Sequence, residues 1–311
     1  MSGAAEEPFL VALGGDVHAY IQPDGGWGLN NAGILAGPGG TTLIDTAMTT
    51  ARTERLRDAA AQVADGRPVR TVVNTHHHPD HTFGNALFPT ATIVAHEQCR
   101  RTAARIGDGP SHDPAIGTGP IEVRLPDLTF AKTLRIFHGD EPVELLHFGA
   151  AHSLEDVVVW FPARRLLFAG DLIFAGATPL VMDGSIRSYF ATIAALRSLG
   201  AETIVCGHGD ITDASCFDPL ERYLHFVQDV ARDGFPTEKT PLELARATDL
   251  GEFAAVKHPE RIVANLHRAF SELRGEHDGA PLIPVPQLFR EMGEYQGHPL
   301  EWRLSLPCAH V

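Results

Sequence analysis

Short apolar runs alternate with helical patterns over the first two hundred residues. Leu10 to Leu13, Val17 to Ile21, Ala32 to Ala36 and Thr41 to Ile44 are bounded by Gly, Pro, Asp and Asn, and this predicts four strands joined by turns. Thr49 to Ala64 places Leu56, Ala60 and Val63 on one stripe and predicts a helix. Val69 to Val73 is a β-branched run of the kind that forms a strand covered on both faces, and it ends at Asn74-Thr75-His76. A second succession predicts strands at Ala91 to Ala95, Val143 to Phe148, Asp156 to Phe161 and Leu166 to Ala169. Ser185 then opens a helix whose apolar side is Ile186, Phe190, Ile193 and Leu196, closed by Gly200. Thr203 to Cys206 is the last clear strand. Two strand sets, each followed by a helix and a short strand, predict an α/β chain of two stacked sheets with helices outside.

Beyond His208 the periodicity becomes helical. Phe217, Leu220, Leu224, Val227 and Val230 form one amphipathic stripe, and Pro259 at a helix start leads into Ile262, Leu266, Phe270 and Leu273. The expected division is therefore a layered domain over 1–210 and a helical C-terminal extension over 211–311, packed on the same domain as a lid or a surface for self-association. Gly107 to Pro120 is rich in Gly, Pro, Ser and Asp and reads as a loop of functional length.

Composition narrows the function classes. The chain has 311 residues, 44% hydrophobic and 21% charged, which is a globular balance. Twenty-five Lys and Arg against 39 Asp and Glu give a formal charge of −14, so neither nucleic acid nor an anionic membrane is an expected partner. Cys99, Cys206, Cys216 and Cys308 form no C-x-x-C pair and read as reduced and mostly buried. The acidic start, Met1 to Glu7, lacks the basic and apolar regions of a secretory signal. The apolar stretch Leu166 to Met182 is interrupted by Asp171 and falls short of the roughly 20 residues of a membrane span. A cytoplasmic location is expected.

The unusual number is 17 histidines. Thr75-His76-His77-His78-Pro79-Asp80-His81 directly follows a predicted buried strand, and a rigid strand end can aim side chains at one point about 2 Å from each donor, as metal binding requires. His76 and His78, two apart on an extended chain, can point the same way. Asp80 and His81, beyond the Pro79 turn, can face a second point, while His77 points to the surroundings of the site or to solvent. Alone, the run could be a histidine-rich surface. It is joined by His152 in Gly149-Ala150-Ala151-His152, Asp171 in Gly170-Asp171 and His208 in Gly207-His208-Gly209, each where a predicted strand gives way to a loop. A carboxylate has two oxygens, so Asp171 suits a bridge between two metals, and the other six residues divide into three and three. Zinc is the first choice, with iron or manganese compatible with nitrogen and oxygen donors.

H-x-H-x-D-H followed by a later His, a Gly-Asp and a Gly-His-Gly resembles the metallo-β-lactamase superfamily. The resemblance covers about residues 10 to 210 and implies an αββα sandwich, with His76, His78 and His152 on one metal, Asp80, His81 and His208 on the other, and Asp171 between them. Gly25-Gly26-Trp27, Asn31-Ala32-Gly33, Val72-Val73-Asn74-Thr75-His76, Asp156 to Trp160, Thr178-Pro179 and Arg261 to Ala269 further resemble the second-ring cyclase/thioesterases of bacterial aromatic polyketide pathways, the actinorhodin type. This implies closure of the second ring of a poly-β-ketone held as a thioester on an acyl carrier protein, and then hydrolytic release. Two metals roughly 3.5 to 4 Å apart supply an activated water and a Lewis acid for both steps. Asp80 is weighed as ligand first and proton carrier second. Trp27 and Phe174 are candidate stacking surfaces for a flat substrate, and Asn31 is a candidate donor to a substrate carbonyl, with a turn-stabilising role as its commoner reading.

The alternative is a general metal-dependent thioester or lactone hydrolase like hydroxyacylglutathione hydrolase, which shares the motif and a helical C-terminal part. A partner-binding protein with an inert site is the minor alternative, opposed by the complete ligand set. His96, His147, His225 and His267 lack comparable spacing and read as surface or core residues.

Overall fold

The computed structural model describes residues 6–112, 116–119, 121–302 and 304–305, so Cys308, the extreme N-terminus and parts of the Gly107 to Pro120 loop and of the tail lie outside the described residues. The first sheet holds seven strands in chain order: β1 (Phe9–Ala12), β2 (Val17–Ile21), β3 (Ala32–Gly37), β4 (Gly40–Ile44), β5 (Val69–Val73), β6 (Thr92–His96) and β7 (Leu128–Phe130). It is antiparallel through β4 and parallel from β4 to β7. The parallel steps require crossovers, and these carry α1 (Thr50–Val63), the short α2 (Pro79–Thr82) and α3 (Glu97–Ile106).

The second sheet has the order β12-β11-β10-β9-β8, with β8 (Thr133–His138), β9 (Glu141–His147), β10 (Val157–Phe161), β11 (Leu166–Phe174) and β12 (Thr203–His208). Its one parallel pair, β11 with β12, is bridged by α4 (Ile186–Leu199). The Ser185 side chain caps that helix by accepting from Ser188 N, and Gly200 closes it at φ 67°. The C-terminal region carries α5 (Phe217–Gly234), α6 (Pro241–Ala247), α7 (Arg261–Leu273) and α8 (Val285–Gln296).

Packing follows from the alternation of side chains along β10. Val157, Val159 and Phe161 meet Leu35, Ile44 and Val73 of the first sheet, whereas Val158 and Trp160 point the other way, toward Ile186, Ile193 and Leu196 of α4. Both faces are covered, which is why Val-Val-Val-Trp-Phe shows no polar alternation. On the far side of the first sheet, Ile34, Leu43 and Val72 pack on Leu56 and Ala60 of α1. The order helix, sheet, sheet, helix is the αββα sandwich. Leu224 and Val227 of α5 and Ile262 and Leu266 of α7 belong to the same apolar cluster as α4 and the outer face of the second sheet.

Two strands were not predicted. β7 is three residues long, and β8 is an edge strand whose residues alternate between exposed and half-buried, with Phe137 65% exposed, so neither presents an apolar run. α3 also escaped the pattern, because its apolar positions are few and its start is capped by His96, which accepts from Gln98 N. β11 runs on to Phe174, so Asp171 stands within a strand rather than in the loop after one. Register shifts on either side of Gly170 interrupt the pairing with β12 there and turn Asp171 into the site. Cys99 and Cys206 are buried free thiols and Cys216 is a half-buried one. No helix among the described residues is long and apolar enough to cross a membrane.

Candidate metal centre

The loop after β5 is tied down before it reaches its first histidine. Asp45, directly after β4, sits at φ 62°, a left-handed conformation that aspartate tolerates better than most residues. Its carboxylate accepts from Thr75 N and Thr75 Oγ1, both at 2.8 Å, and from His81 Nδ1 at 2.8 Å. Pro79 then opens α2 at a position where its missing N–H costs nothing, and the turn brings Asp80 and His81 back toward His76. Asn74 Nδ2 donates to His81 O at 2.9 Å and closes the loop on itself.

Seven side chains from both sheets converge here. One ligand atom each from His76, His78, His152 and Asp171 lie within 4.8 Å of one another, and so do those of Asp80, His81 and His208. Asp171 stands between the groups: its Oδ1 is 3.2 Å from His81 Nε2, and its Oδ2 is 3.5 Å from both His152 Nε2 and His208 Nε2. Asp80 Oδ2 lies 3.2 Å from His208 Nε2. Gly207 makes the approach possible, since a Cβ there would stand 1.9 Å from Asp171 Oδ1.

The donor chemistry fits metal ions. The outer nitrogen of each histidine in the first group is engaged: His76 Nδ1 donates to Thr75 Oγ1 at 3.0 Å, His78 Nε2 to Asp183 Oδ2 at 3.0 Å and His152 Nδ1 to Leu180 O at 2.6 Å. The inner nitrogens are then bare lone pairs, and His78 Nδ1 faces both His76 Nε2 and His152 Nε2 at 2.9 Å. Three lone pairs turned on one another repel unless a cation lies between them. Carbonyl and carboxylate partners on the outer nitrogens are what fix the tautomer of metal-binding imidazoles. In the second group His81 Nε2 and Asp171 Oδ1 are buried without a hydrogen-bond partner.

The electrostatics agree. Burial holds the His76 imidazole well below its ordinary value and brings His152 down to about 3, so both are neutral, as ligands must be. Burial alone would raise Asp80, but His81 and His208 bring it down to about 2. At His208 burial is outweighed by Asp171 and Asp80, which push it up to about 9. The second group thus attracts positive charge where His76 and His152 present neutral donors.

The cluster forms one end of a cavity of about 430 Å³, walled largely by apolar side chains such as Met48, Ile116, Leu180, Phe289 and Trp302. A second cavity, also about 430 Å³, adjoins it and shares Ile116, Pro286, Phe289 and Trp302. Trp27 lines the first cavity and packs against Phe289 at 5.7 Å and Trp302 at 5.6 Å between ring centres. Phe174 also lines it and stacks on His208, with ring centres 5.3 Å apart and planes 10° apart.

Asn31 does not reach the cavity. Its Oδ1 accepts from Gln22 N, and its Nδ2 donates to Cys206 O at 3.0 Å and Gly209 O at 2.7 Å, so the amide is consumed in fastening the loop of His208 to the first sheet. The structure gives Asn31 a third role, neither a substrate contact nor a local turn bond, since its side-chain partners lie 9, 175 and 178 positions away. His77 is buried rather than turned to solvent; its Nδ1 pairs with Glu155, and its ring borders the cavity. Sequence reasoning missed Asp45, Glu155, Asp183 and Arg261. Of these, Asp45 carried a signal as an aspartate at a predicted strand end like Asp171, and Arg261 opened a segment that carried the family resemblance without being given a role.

Residues 25–208, more than half of the chain, match the family model described as the Metallo-beta-lactamase superfamily. A hydroxyacylglutathione hydrolase from Rhodospirillum rubrum is 30% identical over 172 residues, 53% of this chain and 59% of that protein. The 2,4-dinitroanisole O-demethylase subunit alpha of a Nocardioides species is 28% identical over 56% of this chain and 51% of its own length. This chain thus spans only half to three fifths of those two relatives. A hydroxyacylglutathione hydrolase from Methylococcus capsulatus is 29% identical over 82% of this chain and 88% of its own. Among solved structures, a metallo-beta-lactamase from Pontibacter korlensis covers 70% of this chain and 99% of its own, with a TM-score of 0.59 and 23% identity, a likeness of fold.

Proposed function

The chain belongs to the Metallo-beta-lactamase superfamily, and from that membership we propose that it is a metal-dependent hydrolase of thioesters whose acyl group has a bulky apolar body. The observation that carries this reading is the convergence of seven side chains, six of them buried and Asp80 half-buried, in two adjoining groups at one end of an apolar cavity. The relatives named hydroxyacylglutathione hydrolase favour it over ring closure as the main activity.

His76, His78 and His152 would hold one ion, Asp80, His81 and His208 a second, with Asp171 between them. Bound there, such ions supply Lewis acidity and a water activated near neutral pH. The chain's own residues do the rest. The outer partners keep the imidazoles of His76, His78, His81 and His152 in one tautomer. Asp80 borders the cavity and is held ionised, at about 2, by His81 and His208, which suits it as a ligand on the side where substrate enters better than as a proton acceptor. The apolar wall holds the acyl body and excludes water, and the adjoining cavity has room for the thiol-bearing arm. Lactones offer the same carbonyl chemistry and belong in the same assay.

The second reading is the cyclase/thioesterase acting on a polyketide delivered by an acyl carrier protein. The aromatic wall of Trp27, Phe174, Phe289 and Trp302 favours it, since a flat ring system suits offset stacking. The test is a panel of thioesters and lactones with the purified protein, before and after chelation and zinc return. Hydrolysis lost with the metal and restored with it is expected. Full turnover by verified metal-free protein would overturn the mechanism. Release of a ring product from a poly-β-keto thioester would promote the second reading, and simple acid alone would remove it.

A further inference from the structure

We infer that Arg261 binds an oxygen acceptor carried on the acyl part of the substrate, apart from the reacting carbonyl, and so sets a preference for oxygenated over plain hydrocarbon acyl groups. This rests on the thioester hydrolase reading for its substrate, though the binding it describes is measurable without turnover.

Arg261 is the first residue of α7, only 1% exposed, and it borders the same cavity as Asp80, Asp171 and His208. Its guanidinium carbon lies 4.7 Å from the ring centre of Trp27 and 4.9 Å from that of Phe174, so the planar group is held between two aromatic faces. Phe174 in turn stacks on His208, and the guanidinium is therefore fixed one ring away from the metal cluster. One nitrogen is used: Nη1 donates to Thr178 O at 2.8 Å. Nε has no partner, and among the described residues no carboxylate forms an ion pair with Arg261. The adjacent Glu260 is engaged elsewhere, accepting from Trp27 Nε1 at 3.0 Å and from His258 Nδ1 at 3.1 Å.

A buried cation with five donors and one acceptor is an incomplete arrangement. Two other buried arginines show what a structural one looks like in this chain. Arg52 donates to Gln22 Oε1, Leu304 O and Ser305 O. Arg268, which also leaves Nε unpaired, commits both Nη groups to Met182 O, Ala280 O and Ser271 Oγ, and it does not border the cavity. The other polar groups on the cavity wall are taken up: Thr82 Oγ1 donates to His78 O, His77 pairs with Glu155, and Asp183 accepts from His78. Among the described residues Arg261 Nη2 is thus left without a partner on a residue that borders this cavity, and a guanidinium donor suits a keto oxygen or a carboxylate alike.

The test compares N-acetylcysteamine thioesters of 3-phenylpropanoic, 3-oxo-3-phenylpropanoic and 3-(4-carboxyphenyl)propanoic acids for KM and kcat, and the matching amides for equilibrium binding. The wild type should favour one or both oxygenated members, and the larger gain tells keto from carboxylate. Arg261→Gln, which can still donate to Thr178 O, should raise KM for the favoured member by about 10- to 100-fold, leaving kcat and the plain acyl group within a few-fold. Arg261→Lys should fall between. Absence of preference in the wild type overturns the inference, even if neither variant folds. So does a preference that persists in Arg261→Gln, which the metals would then explain, or an equal loss on all three substrates, which is a structural role. Oxygen-selective amide binding without any hydrolysis would sink the thioester reading and keep this one.

Discussion

The metal cluster and the acyl wall face each other across one cavity and are built in opposite ways. The cluster comes from strand ends, and four of its seven side chains, His76, His78, His81 and His152, are held twice, once by the group they face and once by an outer hydrogen bond. The wall is gathered from Trp27, Ile116, Phe289 and Trp302, drawn from three separate stretches of the chain and held chiefly by packing, with one hydrogen bond from Trp27 Nε1 to Glu260. Directional bonds fix a reaction geometry; packing fixes only a shape. Substitution should therefore damage chemistry at one end and selectivity at the other.

Asp171→Ala should show the largest effect, since the Asp171 carboxylate approaches histidines of both groups. Metal content, read by elemental analysis, should fall below the wild-type value, and thioester hydrolysis should fall by at least about 100-fold, the upper end for loss of even an outer partner. Unchanged metal content would break its bridging role. Asp45→Asn tests whether the outer bonds matter, because Asp45 touches no metal yet orients His81 and Thr75. Metal affinity or activity should drop by about 10- to 100-fold, measured by competition with a chelating dye. An unaltered affinity would show that the strand ends position the cluster by themselves. Trp302→Ala should have the smallest effect and the opposite signature: KM for an aryl thioester up by about 3- to 10-fold, with metal content and hydrolysis of an acetyl thioester unchanged. A fall in metal content there would erase the contrast.

The same division explains what could be read from the sequence. β-branched runs and turn residues located ten of the twelve strands among the described residues, and the metal motif drew its signal from ligands that strand ends must present at fixed spacing. β7 and β8 stayed hidden because an edge strand needs no apolar run. Arg261 stayed hidden because nothing local to α7 tells that Trp27, 234 positions earlier, will cover its guanidinium. Asn31 misled for the converse reason: an amide in a turn looks the same whether it faces a substrate or, as here, two carbonyls of a neighbouring sheet.

That amide fastens more than a loop. Asn31 N donates to Gly207 O at 2.6 Å while its side chain holds Cys206 O and Gly209 O, so three links pin the first sheet to the end of β12 on either side of His208. The two layers cannot shear past each other at that end without dragging a metal-cluster histidine along. Active-site segments usually belong to the least stable part of a fold; this one is joined to the sandwich like a rivet through two plates, so its local opening is tied to separation of the layers themselves.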